Sequence, residues 1–114
     1  MTGEVTNKDC PPPERLRDLL DYCPDTGALT WKKKTPETEP RDKERLIFNI
    51  NWGGKPAFTS KDAQSGYIQG KVSGKKMWGH RVVWAIHYGY WPNHIVRHRN
   101  GDRSDNRIAN LRKG

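Results

Sequence analysis

Cysteine occurs only twice in these 114 residues, at positions 10 and 23, and no Cys-x-x-Cys pair exists. That excludes a cysteine-built structural zinc site, while whether the two thiols pair stays open. Long apolar runs are missing too. Nothing approaches the ~18 apolar residues of a membrane span, and the opening MTGEVTNKDCPPP lacks the apolar centre of a signal peptide. A cytoplasmic chain with no membrane partner is the expectation. Apolar residues make up only 32%, so the core must be small. Five Trp, four Tyr and two Phe then carry much of it, since each aromatic buries ~150–250 Å².

Acidic residues are scarce in one region only. Residues 1–65 hold eleven Lys/Arg and eleven Asp/Glu, whereas 66–114 hold ten Lys/Arg against Asp102 and Asp105 alone. The whole net charge of +8 and all four histidines therefore sit in the C-terminal part. A surface charged for solubility intersperses both signs. Segregation of this kind favours a polyanionic partner, because cations that displace counterions from phosphate draw binding free energy from the release.

What is present reads as one α+β domain, within the usual ~100–150 residues. Residues 1–13 read as a flexible tail. Residues 14–22, ERLRDLLDY, place Leu16, Leu19 and Leu20 on one helical face before Pro24 stops them. Asp25-Thr26-Gly27 makes a turn into a short strand over 28–32. Residues 33–45 contain no apolar side chain and two prolines, which predicts an exposed loop; 46–50 resume apolar character until Gly53-Gly54. Tyr67, Ile68 and Val72, then Ser73-Gly74, then Met77 and Trp78, predict a central hairpin. In 80–88, HRVVWAIHY, strand and helix are both compatible with the composition. Gly89 as a C-cap and Pro92 beyond it favour the helix. Trp84, Tyr88 and Trp91 are expected to pack rather than bind, and Lys32–Lys34 to be plain surface. A strand over 95–99, a polar loop over 100–106 and a returning strand or turn over 107–112 complete the chain.

That last stretch, VRHRNGDRSDNRIANLR, sets one histidine among five arginines. Asn100-Gly101 tolerates positive φ, and Asp102, Ser104, Asp105 and Asn106 can bond nearby backbone, so the loop can be well defined despite its polarity. A hairpin would bring His98 and Asn110 together. Asn110 is then expected to bond the loop backbone and hold the imidazole, while Arg97, Arg99, Arg103, Arg107 and Arg112 supply phosphate contacts.

Residues 79–112, GHRVVWAIHYGYWPNHIVRHRNGDRSDNRIANLR, resemble the core of phage and bacterial HNH endonucleases. The shared pattern is an HR-x-x-W helix, a turn with Trp-Pro, H-x-N-G-D-x-x-D-N, and NL. Residues 16–32, LRDLLDYCPDTGALTWK, are similar to the helix and strand that often precede that core in phage members. The resemblance divides the chain into 14–78 and a nuclease-like core at 79–114. It implies a ββα-metal site on double-stranded DNA, with His98 as the general base and Asn110 and Asn106 as structural members. A divalent metal, Mg²⁺ or Mn²⁺, would stabilise the leaving oxygen. Arg97 stands where many members carry a metal-binding acid, and the family's last helix is missing from 79–114. Weak metal affinity is the expectation, and a catalytically degenerate DNA-binding protein of the same fold is the alternative. Whether Arg97 repels an ion or grips the scissile strand stays open.

Overall fold

The computed structural model describes residues 10–114. Most of the expected tail, 1–9, lies outside the described residues, and Pro13 already opens the first helix. Helix α1 (Pro13–Leu19) is shorter than predicted: Leu20 leaves the helical region and starts strand β1 (Leu20–Cys23), which pairs antiparallel with β2 (Ala28–Trp31). Leu16 and Leu20 are both buried, so the apolar spacing survives a change of backbone midway. Proline at N1 suits the start, where its missing N–H is no loss.

The predicted loop over 33–45 gives way at its end to helix α2 (Asp42–Asn51), which has Asp42 and Glu44 in its first turn and no buried residue. Carboxylates near a helix N-terminus are favourable. β3 (Pro56–Ala57) adds to β2, giving the sheet β1-β2-β3. A second sheet, β4-β5-β6, contains β4 (Ser60–Lys61) and the predicted hairpin of β5 (Ile68–Val72) and β6 (Lys75–Trp78).

Helix α3 (Gly79–Tyr88) follows β6 directly and forms the centre of the molecule, with Val82, Val83, Trp84 and Ala85 buried. It ends at Gly89, whose backbone N–H donates to the Ala85 carbonyl and whose φ of 82° is a left-handed conformation that glycine adopts without strain. Around α3 pack Leu16, Leu20, Leu29, Val72, Met77, Val96 and Leu111. Each such aliphatic side chain contributes ~1.5–3 kcal/mol on full burial. Arg17 ties α1 to the end of α3 through the Ile86 carbonyl at 2.9 Å, and Arg81 holds the following turn through the carbonyls of Pro92 and His94. Beyond that turn, β7 (Val96–His98) pairs antiparallel with β8 (Leu111–Lys113). Cys10 and Cys23 are not joined to each other. Among the described residues no helix is long and apolar enough to cross a membrane.

Candidate active site

Strand β7 alternates: Val96 is buried, Arg97 exposed, His98 half-buried. The register sets Arg97 opposite Arg112 and His98 opposite Leu111. Like charges directly opposed across two strands repel unless an anion sits between them. Arg97, Arg112 and Arg103 line a pocket of about 220 Å³ together with His98, Tyr67 and Gly101, so one histidine shares its pocket with three arginines.

The loop that closes this pocket is held by side-chain hydrogen bonds. A single 3₁₀ turn (Ile108–Asn110) buries Asn110 beneath it. Asn110 Nδ2 donates to Asn100 Oδ1 and to the Asp105 carbonyl, each at 2.9 Å, and its Oδ1 accepts from the Asn100 N–H at 3.1 Å. Asn100 Oδ1 also accepts from the Asp102 N–H, and Asp102 Oδ1 from the N–H and hydroxyl of Ser104. Those Ser104 bonds hold the Asp102 carboxyl below its ordinary value. Arg107 donates to both oxygens of Asp105 at 2.8 and 2.7 Å, which keeps the Asp105 carboxyl far below the usual carboxylate range.

The carboxamide expected against the imidazole was that of Asn110; the one found there belongs to Asn106. Its Oδ1 lies 2.9 Å from His98 Nε2. Asn110 shapes the loop instead, and touches the histidine only through that loop. Three other elements fix Asn106. Tyr22 Oη donates to its carbonyl at 2.7 Å. Gly27, at φ 79°, lies so close that an added Cβ would stand 2.7 Å from the Asn106 carbonyl carbon and 2.6 Å from the Arg107 nitrogen. Gly79 at the start of α3 leaves room for the Asn106 Nδ2, which a Cβ would meet at 3.1 Å. This brace is not legible in the sequence, where Tyr22 continues the helical spacing of residues 14–22 and Gly27 looks like a turn residue only.

Two rings lean on His98. The His80 imidazole lies 5.2 Å from it and Tyr67 5.9 Å, centroid to centroid, and His80 and Tyr67 stack on each other at 4.6 Å. His80 is buried with its Nδ1 unpartnered among the described residues. Burial, reinforced by the neighbouring His98 and Arg81, pushes its pKa down to about 3. It therefore stays neutral and adds no charge beside the arginines.

The five arginines divide. Arg97, Arg103 and Arg112 line the pocket, with Arg103 steadied by the Ser65 carbonyl at 2.7 Å and by the face of Tyr67 at 4.9 Å. Arg107 is committed to Asp105. Arg99 is exposed and is not part of the pocket wall. Among the described residues no group of three or more His, Cys, Asp or Glu is placed to hold a metal. A hard divalent cation takes about six oxygen-rich ligands, and a pocket of one imidazole with three guanidinium groups does not fit it.

Residues 78–114 match the family described as HNH endonuclease, a stretch running from the last residue of β6 through α3, β7 and β8. No curated protein and no solved structure matches the chain. The family implies nuclease-type function on a nucleic-acid substrate, and its members generally use a divalent metal.

Proposed function

We propose, from the premise that residues 78–114 are an HNH endonuclease segment, that this chain hydrolyses phosphodiester bonds of double-stranded DNA as an endonuclease or nickase. His98 is the general base, taking a proton from the water that attacks phosphorus. Arg97, Arg103 and Arg112 hold the phosphate oxygens. The observation that supports this reading is that three arginines line one pocket with a histidine whose Nε2 is bonded to Asn106. With Asn106 Oδ1 as acceptor, Nε2 carries the ring proton and Nδ1 offers its lone pair to water. A positioned base contributes ~10²–10⁴ in rate. Guanidinium forks match phosphate oxygens geometrically and oppose the charge that builds on them. A Mg²⁺ or Mn²⁺ ion would have to draw its oxygen ligands from phosphate and water rather than from the described residues.

The Arg97–Arg112 pair favours a second reading, a DNA-binding protein of this fold that does not hydrolyse: cations occupy the ground where ligands for a metal would be wanted. Supercoiled plasmid incubated with wild type, with His98→Ala and with wild type plus EDTA, in Mg²⁺ or Mn²⁺, separates the two. Nicking by wild type that is lost in His98→Ala supports the enzyme. Identical traces of cleavage in both end it, and tight binding without nicking supports the second reading.

A further inference from the structure

A larger pocket, of about 390 Å³, lies where β2, α2 and β5 meet, and its walls include Trp31, Phe48, Trp52, Phe58, Gln69 and Lys71. Its size falls in the range of roughly 300–1,000 Å³ typical of small-molecule sites. We propose that it receives a single unstacked nucleobase of the nucleic-acid substrate, from the strand held beside His98. This rests on the nucleic-acid reading of the His98 pocket.

Three features support a base as the occupant. Four aromatic residues, Trp31, Phe48, Trp52 and Phe58, line the walls, and Trp52 is 53% exposed; every base has a π-face, so stacking on such rings binds single strands regardless of sequence. Gln69, in the wall, has a buried Oε1 without a hydrogen-bond partner among the described residues. A carboxamide matches the mixed donors and acceptors of a base edge. Lysines stand around it: Lys71 belongs to the wall, Lys76 faces Lys71 in the register of β5 and β6, and Lys34 lies 4.2 Å over Phe48. Phosphates on either side of a stacked base would meet these ammonium groups.

The chain joins this pocket to the His98 site: Gln69 in the wall is two residues from Tyr67, whose ring flanks His98, and at ~3.3 Å per extended residue that is a backbone span of about 7 Å. Phe58 packs on Gly70, where a Cβ would stand 2.8 Å from its ring, so the missing side chain seats an aromatic ring in the wall. A base flipped from a duplex or already unpaired would enter from this side.

The test is fluorescence anisotropy of the full chain with a short labelled oligothymidylate, an abasic strand of equal length and a duplex. The expected result is tighter binding of oligothymidylate than of the abasic strand by about tenfold. Trp52→Ala and Gln69→Leu should each remove most of that difference without changing affinity for the abasic strand. Equal affinity for the two single strands overturns the base pocket while duplex binding upholds the nucleic-acid reading. Absence of binding to all three overturns both. If Trp52→Ala turns a dimer into a monomer in sedimentation and the base preference is untouched, the aromatic face belongs to a second copy and the proposal fails.

Discussion

The hydroxyl of Tyr22 donates to the backbone carbonyl of Asn106 at 2.7 Å, across 84 positions of sequence. Through it the first β-hairpin holds the residue that holds the imidazole. Burial pushes the Tyr22 phenol up to about 12. Tyr22→Phe is expected to cost about 1 kcal/mol in urea unfolding near neutral pH. An acid whose folded pKa is raised loses its stabilising contribution as pH climbs from the unfolded value near 10 towards 12. The wild type should therefore weaken over that window, and Tyr22→Phe should weaken less.

Gly27 and Gly101 share nearly the same φ, 79° and 77°, but differ in surroundings: a Cβ at Gly27 meets backbone at 2.6 Å, and at Gly101 nothing lies within 4 Å. Gly101→Ala should cost only the left-handed strain of ~1–2 kcal/mol. Gly27→Ala adds a collision with Asn106 and Arg107, so its loss in chemical denaturation should exceed that of Gly101→Ala by about 2 kcal/mol or more.

His80 titrates near 3 in the folded chain because it is buried. Its ordinary value is about 6.5, so between those limits the unfolded chain binds a proton that the folded chain refuses. Stability must then fall as pH drops below about 6, by up to ~1.4 kcal/mol per pH unit from this group. Asp62, Asp102 and Asp105, held low by hydrogen bonds, act with the same sign at lower pH. His80→Phe keeps a ring against Tyr67 and removes the proton site. Unfolding curves from pH 7 to 4 should show a shallower acid limb for the variant, with no loss at pH 7.

The arginines should separate in the salt dependence of DNA binding. Arg97→Ala and Arg112→Ala are each expected to reduce the slope of log affinity against log salt by about 1. Arg107→Ala should change it less, because Asp105 already occupies its guanidinium. Titrations of one duplex over a salt series supply the three slopes.

Elements that satisfy one local rule each were legible in the sequence. Gly89 and Pro92 mark where α3 must stop, and Gly74 turns the chain between the hairpin strands, both glycines sitting at positive φ. Helix α2 was hidden because its first turn is polar and it buries no side chain, so no apolar face announced it among 33–45. The end of α1 was hidden because Leu16 and Leu20 fit a helix and a strand equally. Partner choice within the loop was not legible at all. Asn106 and Asn110 are both buried carboxamides four residues apart, and only contacts from Tyr22, Gly27 and Gly79 decide which of them faces His98.

Single-turnover cleavage of an end-labelled duplex, with binding measured in parallel, decides whether the His98 ring is the base of a nuclease. His98→Ala should bind the duplex as wild type does and cleave it ~10²–10⁴ more slowly. Equal cleavage rates for the two proteins at equal occupancy would show that His98 is not the base.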